Sequence, residues 1–363
     1  MLILKKNFKG KKVLITGHTG FKGSWLTVWL NILGAKVIGV SYNFPSLPSH
    51  YQLLNLSQKI FNKNLDIRNL NLLEKFIKKN QPDYVFHLAA QSIVNLSYKD
   101  PLKTWSTNTI GTINLLESLR CLKKKCVAVI ITSDKSYENL EIRRGYSEKD
   151  RLGGKDPYSA SKASADIAIG SYIDSFFSHK NNKIFIAIAR AGNVVGGGDW
   201  SSNRLIPDCV RSWSKNKKVL IRSPNSTRPW QHVLEAIYGY LILAVNLNKN
   251  PSLHGQAFNF GPPNNHNYKV ISVVKLMKKY WESVSWKLYK NNNKIVKESF
   301  LLRLNSQKAK KILKWKGVLT IKENIFLVAN WYKNFYLDSK QAYKLTLSQI
   351  NFYQNIIKKR AIK

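Results

Sequence analysis

Lys12-Val13-Leu14-Ile15-Thr16 runs into Gly17-His18-Thr19-Gly20-Phe21-Lys22-Gly23, and an apolar-periodic segment follows as far as Leu33. The KVLIT run reads as a buried strand and the segment after Gly23 as an amphipathic helix. Between them the glycines fall three residues apart, Gly-x-x-Gly-x-x-Gly. At a strand-to-helix turn such glycines allow a tight reversal and let a pyrophosphate approach the backbone N–H groups at the helix start. Glycines in a loop often mean only a turn. The strand before and the helix after point instead to a bound dinucleotide.

Working outward, the same rhythm repeats. Ala35–Ser41 reads as a second strand, whose end would normally carry an acid that grips the adenosine ribose of NAD. No Asp or Glu occurs from Asn31 to Leu65, so Ser41, Tyr42 or Asn43 inherits that place, and NAD against NADP stays open. Asn64-Leu65-Asp66-Ile67-Arg68 is expected to end a third short strand, with Asp66 either at the adenine or capping a helix from about Asn69. Tyr84–Gln91 is a fourth strand with its exit loop, where the small pair Ala89-Ala90 lets a cofactor lie close and His87 reads as structural. A helix is expected from about Pro101 to Leu122, with Asn108 at its middle. Val127–Ile131 and Lys183–Arg190 are further buried strands. Strands alternating with helices imply an α/β, Rossmann-type doubly wound parallel sheet.

After Arg190 the rhythm loosens. Arg204–Asp208, Arg228–His232 and Ala257–Pro262 look like pieces of a smaller C-terminal substrate-binding lobe. The expected organisation is residues 1–190 for the dinucleotide domain and 191–340 mainly for the lobe, with some chain returning to the core. Residues 341–363 are expected as a basic C-terminal tail.

With 44% apolar and 12% aromatic residues in 363, the chain has ample material for a core. The N-terminus has too short an apolar run for a signal peptide, and no later run approaches a membrane span. Three cysteines without metal-ligand spacing, and no cluster among seven histidines, argue against a metal and for a reducing, cytoplasmic setting. The net charge of +39 invites a nucleic-acid partner. Lys and Asn are scattered through loops and helix faces, however, and only Lys358-Lys359-Arg360 with Lys363 is concentrated. Scatter favours compositional drift over a nucleic-acid surface.

The chemistry concentrates between Thr132 and Lys162. Ser133, Asp134 and Lys135 stand at the C-terminal end of the Val127–Ile131 strand, where open α/β sheets place their sites. Asp156-Pro157 signals a helix start, so Tyr158 and Lys162 fall one turn apart on one face. A lysine ammonium there favours the phenolate and is expected to lower the tyrosine pKa from about 10 toward working pH. Tyr336 and Lys340 repeat the spacing without an upstream strand-end hydroxyl or acid, and read as coincidence.

The phrases GHTGFKGSWL, HLAAQ, TSDKSYEN, LGGKDPYSASK, ARAGNVVGGGDW, RLIPD and RPWQHVLE run in order from Gly17 to Glu235. Together they resemble the extended short-chain dehydrogenase/reductase superfamily, its nucleotide-sugar branch, and within it the CDP-glucose 4,6-dehydratase family. Weaker matches continue through AFNFGP and from Glu298 to Trp315. The resemblance implies NAD held by Gly17, Thr19, Gly20, Phe21, Lys22 and Gly23, with Asp66 and Ile67 flanking adenine. Leu88, Ala89 and Ala90 would line the cofactor, and Tyr158 and Lys162 would face it. Ser133, Asp134, Lys135, Tyr158 and Lys162 would be catalytic. Gln91, Asn193, Arg204, Arg228, Trp230, His232 and Glu298 would contact the nucleotide sugar, with Arg303 a further candidate. Ser136 replaces a usual cysteine, and Lys135 stands where dTDP-glucose relatives have glutamate.

The implied reaction converts CDP-D-glucose to CDP-4-dehydro-6-deoxy-D-glucose. Carbon 4 is oxidised, water is lost across carbons 5 and 6, and the hydride returns to carbon 6. Such a product feeds deoxysugars of surface polysaccharide, for example lipopolysaccharide O-antigen. A cytoplasmic homo-oligomer, dimer or tetramer, is expected. The alternatives are a nucleotide-sugar epimerase or another extended enzyme of this superfamily, and a non-catalytic dinucleotide- or RNA-binding protein.

Overall fold

Six strands appear in chain order: β1 (Lys12–Thr16), β2 (Lys36–Ser41), β3 (Phe61–Asn64), β4 (Tyr84–His87), β5 (Cys126–Ile131) and β6 (Ile184–Ala191). With Ala257–Phe260 they form one parallel seven-stranded sheet, in the order Ala257–Phe260, β6, β5, β4, β1, β2, β3. The computed structural model describes residues 1–142, 144–202, 204–221, 223–262, 267–288 and 302–361.

Successive strand residues point to opposite faces, and in this sheet both faces are apolar. Val13 and Ile15 of β1 enter one buried cluster and Leu14 the other. On β5, Val127, Val129 and Ile131 oppose Ala128 and Ile130 in the same way. The first face is covered by the helices Phe21–Ile32 and Val233–Lys249, the second by Leu70–Asn80, Gly111–Arg120 and Pro157–Tyr172. This is the doubly wound arrangement expected from the sequence. Strand order reverses between β1 and β4, so a crevice opens beyond their C-terminal ends, the place where such sheets bind ligands.

The smaller lobe carries short strand pairs: Val219–Ile221 with Trp286–Leu288, and Thr227–Pro229 with Asn267–Lys269. Val194–Val195 pairs with Gln231–His232. The first apolar cluster continues unbroken into this region through Trp213, Ile221 and Trp281, so lobe and sheet share a core.

Four expectations need correction. Ala257–Phe260, expected in the lobe, is the edge strand of the main sheet, in register with β6 from Ala257↔Ile188 to Phe260↔Ala191. The third strand ends at Asn64 rather than Asp66, because Leu65 and Ile67 turn inward to become core. The helix from Pro101 is interrupted by a π turn, Ser106–Ile110, which buries Asn108. The expected tail from 341 is folded as far as the structure describes it, to residue 361. Ala342–Ala361 is a helix whose Thr346, Ile350, Tyr353 and Ile357 are buried, with Lys358 and Lys359 on its outer side. It packs on the helices Phe21–Ile32 and Ile321–Leu337. Among the described residues no helix is long and apolar enough to cross a membrane, and no three metal-ligating side chains converge.

Candidate active site

The glycine loop leaves β1 through Gly17 at φ +78, a conformation that a side chain would strain. A Cβ on Gly17 would lie 2.6 Å from Ala89 N, and one on Gly23 would lie 2.2 Å from Gly17 O. The loop therefore presses backbone to backbone against the exit of β4. The Phe21–Ile32 helix starts at Gly20 without a side-chain cap, so its first N–H groups remain available to an anion. A cradle that tolerates no Cβ, ahead of an uncapped helix start, fits a dinucleotide pyrophosphate. Thr19 ties the loop to β2 by donating its hydroxyl to Asn43 O at 2.7 Å and its N–H to Ser41 Oγ at 3.3 Å. Phe21 lies against Gly196.

At the far end of the crevice, Asp66 accepts from Arg68 Nε and Nη2, the latter at 2.6 Å, and from Arg68 N. The helix Leu70–Asn80 is capped by Asn69, so Asp66 does not cap it. Ile67 is buried against Gly111 and offers a ligand only its backbone. Leu88, Ala89 and Ala90 are half-buried along the exit of β4. His87 is the satisfied structural side chain expected, bonded to Thr16 Oγ1 at 2.7 Å and Thr112 Oγ1 at 3.1 Å.

Beyond β5 the chain makes one 3₁₀ turn, Asp134–Ser136. Ser133 Oγ donates to Asp134 Oδ1 at 2.9 Å and accepts from Lys135 N at 3.2 Å. Asp134 is buried, and burial raises its pKa above the usual carboxylate value, although Lys135, Ser133 and Lys22 pull the other way. The loop after β6 closes over it, since a Cβ on Gly192 would sit 3.0 Å from Asp134 Oδ2. Lys135 is half-buried beside it.

Asp156 caps the Pro157–Tyr172 helix, accepting from Ser159 N at 3.0 Å, and this fixes Tyr158 and Lys162 on one face. The expected lowering of the tyrosine pKa does not occur in this structure. Burial pushes the Tyr158 phenol up, and the Ser133 hydroxyl opposes it only partly. Lys162 turns its Nζ to Ile131 O at 3.4 Å, and burial drives its own pKa down to about 8. At about 8 the ammonium is still mostly charged at neutral pH, so the rise at Tyr158 comes from burial and not from a discharged Lys162.

Lys22 joins the same cluster. Burial lowers its pKa to about 8, and it feels the charges of Arg204, Asp134, Lys162 and Asp199. Arg204 pairs with Asp199 at 3.2 Å and its charge also reaches Tyr158. The structure thus brings Lys22, Ser133, Asp134, Lys135, Tyr158, Lys162 and Arg204 to one end of the sheet. Sequence reasoning had placed Lys22 only at the cofactor and had given Asp199 no part.

Other candidates lie elsewhere. The Gln91 amide is already committed, donating to Thr104 Oγ1 at 2.9 Å and accepting from Ile93 N at 2.6 Å, so it holds its own loop. His232 is fully buried, accepting from Leu234 N and meeting Trp25 edge-on; it presents no surface to a ligand. Trp230 is buried, with Nε1 donating to Tyr268 O at 3.0 Å. Asn193 is exposed, and Arg228 is half-buried, donating to Thr227 O at 2.9 Å. Arg303 is half-buried, with its O accepting from Tyr146 N. Glu298 lies outside the described residues.

A buried network supports the site from behind. Arg190 Nη2 donates to Asp166 at 2.9 Å, one turn beyond Lys162, and Nη1 donates to Tyr137 Oη at 2.8 Å. Tyr137 Oη donates to Asn259 Oδ1 at 2.8 Å. The end of the 3₁₀ turn after β5, the Pro157–Tyr172 helix, β6 and the edge strand are therefore tied through one network centred on the Arg190 guanidinium. The one signal in the sequence was Asp166 four residues after Lys162.

Residues 14–326 match the family described as GDP-mannose 4,6 dehydratase. The chain is 40% identical over 336 residues to the CDP-glucose 4,6-dehydratase of Salmonella typhimurium, covering 91% of this chain and 93% of that one. It is 25% identical to the dTDP-glucose 4,6-dehydratase of Haemophilus influenzae, covering 88% and 97%. Among solved structures, the epimerase Mth375 of Methanothermobacter thermautotrophicus superposes with TM-score 0.78 at 22% identity, over 94% of this chain and 97% of that one. A Bacillus cereus UDP-glucuronic acid 4-epimerase superposes with TM-score 0.75 at 21% identity, over 90% and 100%. At such identities these two structures bear on the fold alone.

Proposed function

The chain belongs to the GDP-mannose 4,6 dehydratase family, and from that membership we infer that it is a nucleotide-sugar 4,6-dehydratase acting on CDP-D-glucose with NAD. The observation that carries this reading is Asp134, a carboxyl held toward its neutral form, hydrogen-bonded to Ser133 beside Tyr158. A carboxylic acid that keeps its proton can deliver it to a leaving hydroxyl.

Gly17, Gly20 and Gly23 with the uncapped helix start would hold the NAD pyrophosphate, and Ala89 and Ala90 would line its path. When bound, NAD supplies the redox chemistry, taking hydride from carbon 4 and returning it to carbon 6. Tyr158, through the phenolate that burial makes its minor form in this structure, takes the proton from the carbon 4 hydroxyl, with Ser133 orienting it and Lys162 behind it. The carbon 4 ketone acidifies the hydrogen on carbon 5, which Lys135 removes. Asp134 gives its proton to the oxygen on carbon 6, which leaves as water, and once carbon 6 has received hydride the Lys135 ammonium returns the proton to carbon 5. Arg204 and Arg228 suit the diphosphate, whose oxygens a guanidinium meets with a planar fork.

An epimerase would need Tyr158 and Lys162 but would leave the Asp134–Lys135 pair without a task. A role in nucleic-acid binding would leave all of them without one. The product, CDP-4-dehydro-6-deoxy-D-glucose, suits deoxysugar synthesis for surface polysaccharide such as O-antigen, with the enzyme a cytoplasmic homo-oligomer. Incubation with CDP-, dTDP-, UDP- and GDP-glucose tests the reading. A 4-keto-6-deoxy product from CDP-glucose in preference to the others is expected, and none from any of the four would sink it.

A further inference from the structure

Tyr137 closes the TSDKSY phrase and has no part in the chemistry above, yet it is buried, at 1% exposure. Its N–H reaches Asp134 O at 3.4 Å and so ends the turn that carries Asp134 and Lys135. Its phenol makes two bonds. Arg190 Nη1 donates to it at 2.8 Å, and it donates to Asn259 Oδ1 at 2.8 Å. Burial pushes the phenol up to about 12, so it keeps the proton that Asn259 accepts. Arg190 and Asn259 are register partners on β6 and the edge strand, so their side chains leave the same face of the sheet side by side. From the other side, Arg190 grips Asp166 through Nη2 at 2.9 Å and Nε at 3.3 Å. Asp166 stands one turn beyond Lys162 on the helix that also carries Tyr158. Asn259 Nδ2 donates to Tyr146 O at 2.9 Å and to Asn305 O at 3.3 Å, and the Tyr146 ring stacks on that of Tyr137 at 5.2 Å.

The reaction read above divides between two segments. Oxidation at carbon 4 rests on Tyr158 and Lys162 of the helix, and loss of water rests on Asp134 and Lys135 of the turn. Backbone bonds from Gly153 N to Ser136 O and from Glu138 N to Arg151 O, both 2.9 Å, hold the turn to the chain ahead of the helix. The phenol, through Arg190 and Asp166, holds it to the helix itself. We propose that Tyr137 is a positioning residue for the dehydration step, setting the Asp134–Lys135 turn against the helix through Arg190 and Asp166 while Asn259 braces it from the edge strand; the proposal rests on the dehydratase reading above. A displacement of about 1 Å can cost about 100-fold in a step that needs aligned groups. Ser133, which serves Tyr158, precedes the turn, so oxidation is spared when the turn loosens.

The test is a rapid mix of the whole protein, loaded with NAD, with CDP-glucose. Nicotinamide absorbance reports oxidation, and quenched product reports loss of water. In wild type the two are expected to keep pace. In Tyr137→Phe, reduced cofactor should form at close to the wild-type rate while product slows by about 10- to 100-fold, so reduced cofactor accumulates on the enzyme. Asn259→Ser should show the same split, and it decides the matter if Tyr137→Phe does not fold. Tyr353→Phe removes a buried phenol from the C-terminal helix instead, and should leave the two steps in wild-type proportion. A second readout needs neither cofactor nor substrate: in Tyr137→Phe, amide hydrogen exchange should quicken at residues 135–137 and not at 158–166. An equal fall of both steps in Tyr137→Phe, or dehydration that is not slowed, would overturn the proposal, as would unchanged exchange in the turn. Wild type that yields neither reduced cofactor nor product from CDP-glucose would overturn the dehydratase reading, and this inference with it.

Discussion

Replacing Glu235 by Gln should stabilise the protein in alkaline solution and do little in acid. Glu235 lies in the first turn of the Val233–Lys249 helix, 3% exposed, and accepts from Val318 N at 2.8 Å, Leu319 N at 2.7 Å and Tyr353 Oη at 2.8 Å. It thereby holds the C-terminal helix to the helix that begins directly after RPWQH. Burial pushes its pKa from 4.5 up to about 7, outweighing the three hydrogen bonds and Arg360. Below 4.5 the carboxyl is neutral folded and unfolded, and its pKa difference contributes nothing. As pH rises toward 7 the unfolded chain ionises first, so stability falls across that window and the full penalty is present above it. The interval from 4.5 to about 7, at 1.36 kcal/mol per pH unit, comes to about 3 kcal/mol. Glutamine keeps an acceptor for the two N–H groups and turns an N–H to Tyr353 Oη, which can accept. Thermal unfolding at pH 5 and pH 8.5 should therefore show a gain for Glu235→Gln only at the higher pH, roughly 6 °C if each kcal/mol shifts Tm by about 2 °C. A loss of stability at pH 8.5, or the same change at both pH values, would refute the reasoning.

Tyr158→Phe keeps a buried ring and loses one hydroxyl, so activity should drop about 10²–10⁴-fold with unfolding unchanged, whereas Tyr336→Phe loses only a bond from Trp200 Nε1 and should turn over normally. Retained activity in Tyr158→Phe would move the base elsewhere. Asp134→Asn should still reduce bound cofactor on addition of CDP-glucose, seen as nicotinamide absorbance, yet stall before water is lost; unimpaired dehydration would remove Asp134 as the acid. Lys135→Ala should stall at the 4-keto sugar with no solvent deuterium entering carbon 5, and rapid exchange there would leave Lys135 only an electrostatic role. Arg190→Met leaves the fully buried Asp166 carboxylate without its partner and should cost about 3–5 kcal/mol in a denaturant titration, a figure that a negligible shift in midpoint would contradict.

The sheet was legible because its strands carry their own signal. KVLIT, YVFH and VAVII are apolar runs bounded by turns, and the glycine spacing fixes the turn and helix after β1. Ala257–Phe260 was harder to place, since a strand of the same kind returns to the sheet only after the lobe, and nothing local says to which sheet it returns. The last helix was hidden by composition: its lysines dominate the count, while the buried face rests on Thr346, Ile350, Tyr353 and Ile357 at helical spacing. The site was legible as a set of residue types and not as a set of energies. Asp134, Tyr158 and Lys162 were found by position, but the direction of the tyrosine shift depends on burial that no spacing reports. RPWQH was carried over as one block, and the fold divides it, leaving Arg228 half-buried and sending His232 into the core.

The internal redox cycle is tested most directly by following the hydride itself. CDP-glucose carrying deuterium at carbon 4 is turned over with unlabelled NAD, and the product is read by NMR and mass spectrometry. The account predicts deuterium at carbon 6 of CDP-4-dehydro-6-deoxy-D-glucose, with no reduced cofactor accumulating in solution. Deuterium retained at carbon 4 of an epimerised sugar, or released in step with product as free reduced cofactor, would contradict it.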